Sequence, residues 1–222
     1  MKLNHKQNKI MALILVPLSI TFICYYTLFV LISPIFEPIQ SIYSLISSDY
    51  APNLNNEKTT NLYENKLVPS DIINASNIIF PKYGDMFGKL MVDSVDIKLN
   101  LYYGDGKVQL RNGAALFNGS FLPGLNKTVL IAGHSIPYFE PLGKVKIGDI
   151  IKISTHYGDF EYKITDTKIC DANDNSNYDL QQRVKEQLIL YTCYPFEIIG
   201  YKPQRLFVYA DKISGPTIME GQ

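Results

Sequence analysis

Cysteine is scarce in this sequence. Among 222 residues there are three, Cys24, Cys170 and Cys193, too few and too scattered to form a disulfide framework. Cys24 falls within an apolar run, which leaves Cys170 and Cys193 for a folded domain, where a pairing between them stays open in an oxidising location. Cationic charge is not in excess: Lys and Arg number 21, as do Asp and Glu. A broad basic surface is therefore missing, and nucleic acid is not an expected partner. No glycine-rich loop precedes a helix, which argues against nucleotide use. The histidines are His5, His134 and His156, without zinc-like spacing. No internal repeat is evident, and Thr217-Ile218-Met219-Glu220 near the end reads as a tail rather than a second apolar span.

What is present begins with a membrane segment. No side chain from Ile10 to Phe36 is charged, and Ile10 to Ile32 is almost wholly apolar. At ~1.5 Å per residue this run crosses a hydrocarbon core ~30 Å thick. Lys2, Lys6 and Lys9 precede it without an acid, leaving 18 of the 21 basic residues against 21 acidic ones in the remainder. Such a flank places residues 1–9 in the cytoplasm and the rest of the chain outside. A cleaved signal peptide has a shorter apolar core of ~7–15 residues and a small-x-small site. This run is longer and lacks such a site, so residues 10–32 read as an uncleaved single-pass anchor.

Residues 33–84 mix Pro, Asn, Ser and Thr, and Pro34, Pro38, Pro52 and Pro69 interrupt any long helix. They read as an extracellular stalk. From about Asp85 the texture changes to short β-rich runs between Gly, Pro and Asn. Ile150–Thr155 and Phe160–Thr165 flank His156-Tyr157-Gly158-Asp159 as a hairpin. Further strands are expected at Lys89–Val92, Ile97–Tyr102, Val129–Ala132, Thr167–Cys170, Gln187–Thr192 and Leu206–Ala210, with helical pieces at Asp105–Arg111 and Tyr178–Lys185. So many strands predict an all-β domain over 85–213, followed by a tail at 214–222; the pattern alone fits a sandwich or a closed barrel.

Three features carry chemistry. Thr128-Val129-Leu130-Ile131-Ala132-Gly133-His134 is a β-branched strand ending in Gly-His, where glycine permits close approach and histidine can act as acid or base. Leu188-Ile189-Leu190-Tyr191-Thr192-Cys193-Tyr194-Pro195 is a strand ending on cysteine and broken by proline. A thiol there is a nucleophile only if accessible and near a group that lowers its pKa. Pro203-Gln204-Arg205-Leu206-Phe207 opens the next strand with a permanent cation able to stabilise an oxyanion. Taken singly, each has a plainer reading: a loop histidine, a small core cysteine, a solvated rim arginine.

Their order is more informative. Ala132-Gly133-His134, then Leu190-Tyr191-Thr192-Cys193, then Arg205 resembles the sortase signature. The resemblance runs over about residues 88–212, including Gly119-Ser120-Phe121-Leu122-Pro123-Gly124 and Pro141-Leu142-Gly143-Lys144-Val145-Lys146-Ile147-Gly148-Asp149. It implies an eight-stranded sortase-type β-barrel with short helices behind one transmembrane helix. It also implies a cysteine transpeptidase: Cys193 attacks the Thr–Gly carbonyl of an LPxTG-like sorting signal, His134 protonates the departing amine, Arg205 stabilises the oxyanion or holds the substrate backbone, and Thr192 lies near the substrate. The resulting thioester passes to an amine, typically of a peptidoglycan precursor. The implied partners are secreted proteins carrying the signal, and the implied location is the cell membrane. Water as acceptor would make the same trio a tethered cysteine hydrolase, and a non-enzymatic surface β-barrel is a third reading. Cys193-Tyr194-Pro195-Phe196 is most similar to class D, with class A the runner-up and Ser135 a departure where many class D members carry Arg or Asn. No cofactor is expected. The acidic loop Asp171–Asp179 invites calcium, but against an EF-hand it has Ser176 at the glycine position and Gln182 at the closing glutamate.

Overall fold

The structure is a computed structural model and describes residues 11, 13, 15–32, 60–64, 66–67, 71–178, 180, 185–198 and 200–219. Residues 33–59 of the expected stalk lie outside these, as does most of the helix expected over 178–185. Leu15–Ile32 forms α1, a helix long and apolar enough to cross a membrane. The hydroxyls of Ser19, Thr21 and Thr27 donate to carbonyls three residues earlier at 2.8–2.9 Å, which satisfies them within an apolar segment.

The strands are β1 (Ile72–Asn74), β2 (Met86–Val92), β3 (Ile97–Tyr103), β4 (Ala114–Leu116), β5 (Thr128–Ala132), β6 (Ile150–Thr155), β7 (Asp159–Asp171), β8 (Gln187–Tyr194), β9 (Gln204–Ser214) and β10 (Thr217–Met219). A short helix, α2 (Lys107–Asn112), lies between β3 and β4, close to the helical piece expected at Asp105–Arg111. Eight strands close into a barrel in the order β2-β3-β4-β5-β8-β9-β7-β6, with β6 returning to β2. Closure removes the free edges that a two-sheet sandwich of these strands would leave.

Strand alternation explains which side chains fill the barrel. Phe160, Tyr162 and Ile164 of β7, Leu188 and Leu190 of β8, and Leu206, Val208 and Ala210 of β9 belong to the main core. The intervening Ile189 and Phe207 point outward and, with Leu130 and Cys170, form a second cluster covered by Phe117, Tyr178, Leu180, Tyr191 and Tyr209. Strands β5 and β8 are thus buried on both faces, which is why they read as unbroken apolar runs. The expected Thr167–Cys170 strand is the continuation of β7, which passes through a register shift between Ile164 and Asp166 instead of ending.

The end of the barrel where β8 begins is tied by one buried acid. Glu186 accepts the amides of Gly124 and Asn126 at 3.0–3.1 Å and the Tyr162 hydroxyl at 2.5 Å, with Lys212 Nζ at 3.6 Å. Charge-assisted bonds of this kind make its burial tolerable. Burial, and then the nearby Glu186 charge, pushes the hydroxyl pKa of Tyr162 well up.

The domain edges differ from those the sequence suggests. Residues 60–64, 66–67 and 71–84, read as the end of the stalk, lie against the barrel: the Met86 amide donates to the Thr60 carbonyl, Leu62 is buried, and Ile73 and Ile78 enter the core. Residues 217–219, read as tail, pair with β1 in parallel, Ile73 opposite Ile218. Three-residue strands that meet across more than a hundred residues carry no periodic signal, and the prolines and asparagines nearby mask them. The folded domain accordingly extends at least from Thr60 to Met219. Ile218 is 6% exposed and Ile213 53%. Ile218→Ala should cost about 2–4 kcal/mol in chemical denaturation, whereas Ile213→Ala should cost under about 0.5 kcal/mol; equal small losses would return the segment to a tail.

Candidate active site

Three neighbouring strands deliver the three expected residues to one end of the barrel. Strand β8 lies between β5, its parallel partner, and β9, its antiparallel partner. On one side Cys193 stands directly opposite Arg205, so their side chains share a face with Cα atoms about 4.5–5.5 Å apart. On the other side Ala132 stands beside Tyr191, and the Gly133 amide continues the ladder by donating to the Tyr191 carbonyl at 3.2 Å. His134 follows at the level where β8 reaches Thr192 and Cys193. The thiol is thereby flanked by the histidine segment and by the arginine. All three side chains are half-buried.

Two contacts fix where the histidine leaves β5. The Thr192 hydroxyl donates to the Gly133 carbonyl at 2.8 Å, and the Phe139 amide donates to the His134 carbonyl at 3.0 Å. Phe139 is fully buried, and a Cβ on residue 133 would stand 2.6 Å from its ring. Glycine is required here because the ring occupies the space a side chain would fill. Thr192 is 2% exposed, on the face opposite Cys193 as alternation along a regular strand requires, and its hydroxyl clasps the histidine segment.

Arg205 is oriented by its own loop: Nη1 donates to the Lys202 carbonyl at 3.0 Å and to the Gln204 carbonyl at 2.9 Å. Tyr191, two residues before Cys193 on the outer face, stacks on Phe207 with ring centroids 5.8 Å apart. Its hydroxyl pKa is raised by burial first and then by Asp105. The peptide bonds Ile136–Pro137 and Tyr194–Pro195, which follow the histidine and the cysteine, are both cis. A cavity of about 490 Å³ adjoins the residues after Cys193, lined among others by Glu140, Leu142, Ile169, Tyr194, Phe196 and Leu206. Another, of about 410 Å³, lies by His156 and Asp159 at the far end of β7, remote from the thiol.

Both domain cysteines are free. Cys170 and Cys193 each stand opposite Arg205 from its two sides, which puts them two strands, or about 10 Å, apart and beyond disulfide reach. Cys170 is buried and donates to Asn177 Oδ1 at 3.0 Å, the core role its strand position suggests. The acidic loop satisfies itself. Asp171 accepts the Asn173 amide at 2.8 Å, and Asp174 accepts the Ser176 amide and hydroxyl at 3.0 and 2.6 Å. Among the described residues no three His, Cys, Asp or Glu side chains converge as metal ligands; Asp179 and Gln182 lie outside those residues. His156 is buried, with Nε2 2.9 Å from the Ile79 carbonyl.

Lys202 had no signal in the sequence. Its Nζ donates to Ser135 Oγ at 2.9 Å and to the Phe196 carbonyl at 3.1 Å. A single lysine in a loop without periodicity cannot be distinguished from a solvated one until the loop is folded.

The family model described as the Sortase domain matches residues 90–213. The chain is 33% identical over 134 residues to sortase D of Bacillus subtilis, covering 60% of this chain and 67% of that one. Its fold is similar to a Clostridium perfringens sortase D5 transpeptidase, with TM-score 0.54 and 23% identity over 60% of this chain and 82% of that one. It is also similar to Listeria monocytogenes sortase A, with TM-score 0.53 and 25% identity over 61% and 92% of the two chains.

The clasp reading of Thr192 separates from a substrate-lining one. Thr192→Val should lower stability by about 1 kcal/mol and reduce kcat while leaving KM for peptide near wild type. A raised KM with unchanged stability would instead put the side chain against substrate.

Proposed function

This chain belongs to the sortase family, whose members are cysteine transpeptidases, and on that premise we propose that it cleaves an LPxTG-like sorting signal between Thr and Gly through Cys193, His134 and Arg205. The observation that carries this is the side-by-side order β5, β8, β9, which sets Gly133-His134 and Arg205 on either side of Cys193.

The chemistry follows from the groups. The Cys193 thiolate adds to the carbonyl carbon of the scissile peptide, and the carbonyl oxygen takes the negative charge. Arg205, whose guanidinium is always protonated, faces that charge from the opposing position on β9. As the tetrahedral intermediate collapses the C–N bond breaks, and the imidazolium of His134 gives its proton to the leaving amine. A thioester to Cys193 remains. An incoming amine attacks it, neutral His134 takes the amine's surplus proton, and the thiolate departs, joining the acyl fragment to the new amine. The acceptor is a cell-wall amine of the peptidoglycan-precursor type.

The proposed setting is the outer face of a Gram-positive cell membrane, with residues 1–9 cytoplasmic and the barrel outside. The apolar α1 and the Lys2, Lys6, Lys9 flank support this. Class D is the proposed subclass, supported by Cys193-Tyr194-Pro195-Phe196 and by the similarity to a sortase D.

The test uses the full chain in detergent with an LPxTG-like peptide and increasing amine. The transpeptidated product should rise with amine at the expense of hydrolysis. Cys193→Ala should abolish both, and His134→Ala should slow turnover by about 10²–10⁴-fold. Hydrolysis alone at every amine concentration would contradict the acceptor reading, and equal cleavage by wild type and Cys193→Ala would contradict the nucleophile.

A further inference from the structure

The β8–β9 connection returns one side chain to the site. Lys202 Nζ bonds Ser135 Oγ, the residue after His134, and the carbonyl of Phe196, three residues after Cys193. Its own carbonyl accepts from Arg205 Nη1. One residue therefore touches the segments that carry all three groups of the proposed mechanism. Ser135 is 7% exposed, so the ammonium is drawn against a buried hydroxyl. Two oriented acceptors hold the otherwise flexible lysine side chain in one place.

Burial lowers the Lys202 pKa, against the opposing pull of Cys193, Glu197 and Glu140.

We propose that Lys202 is a positioning residue for the transpeptidation: it clamps the His134 segment to the segment following Cys193. The inference rests on Cys193 being the nucleophile. Arg205 does not duplicate the clamp, because the contacts of its Nη1 are to the backbone carbonyls of its own loop.

The test follows kcat and KM for an LPxTG-like peptide with the full chain in detergent. Lys202→Met should lower kcat about tenfold with KM little changed, and Lys202→Arg, which can still donate to both acceptors, should restore part of it. Ser135→Ala, which removes one anchor of the clamp, should lower kcat, and the Lys202→Met, Ser135→Ala double variant should lose little more than Lys202→Met alone. Wild-type turnover in Lys202→Met, wild-type kcat in Ser135→Ala, or additive losses in the double variant would overturn the proposal. Should Lys202→Met fail to fold, Lys202→Gln replaces it with the same expectations. Full turnover by Cys193→Ala would instead overturn the nucleophile itself; an inactive Cys193→Ala beside an unaltered Lys202→Met rejects Lys202 alone.

Discussion

The position of β8 between a parallel and an antiparallel partner is the constraint on which the site depends. Parallel pairing with β5 makes both strands finish at the same end of the barrel, so a histidine after one and a cysteine in the last turn of the ladder of the other become neighbours. Antiparallel pairing with β9 makes that strand begin where β8 finishes, which brings the arginine into register. A slip of one residue in either ladder would turn Cys193 inward and Thr192 outward. Burial of both β8 faces opposes such a slip, because it would expose Leu188 and Leu190 or force Tyr191 into the barrel.

The two ends of the barrel are held differently. Around Glu186 the start of β8 is fixed by a buried carboxylate with four protein partners. Around Cys193 the ties are short-range and loop-borne: the Thr192 hydroxyl on Gly133, the Phe139 ring beneath Gly133, the loop carbonyls around Arg205, and Lys202 between Ser135 and Phe196.

Much of this was legible beforehand. Strands with strong period-two or unbroken apolar patterns, such as Ile150–Thr155 and Gln187–Thr192, fall where the sequence places them, and His134, Cys193 and Arg205 come to one end of the barrel as their strand-end positions suggest. Barrel closure was not legible in the strand pattern, which fits a sandwich equally and carries no trace of the long-range pairing of β6 with β2; it came from the family resemblance, and the closed eight-stranded barrel agrees with that expectation. Nor were β1 and β10, whose three residues each are too few for a period. Lys202 was hidden for a related reason: its meaning comes from contacts with Ser135 and Phe196, 67 and 6 residues away. Thr192 shows the converse, where strict alternation overrides proximity in sequence and turns the neighbour of the thiol away from it.

The most direct measurement of the central claim is the mass of the covalent intermediate. Full-length protein mixed with an LPxTG-like peptide in the absence of amine, quenched in acid and digested, should carry the acyl fragment as a thioester on the peptide containing Cys193. That adduct should vanish when amine is added. An adduct on Cys170 or on any other residue, or cleavage that continues in Cys193→Ala, would contradict the account.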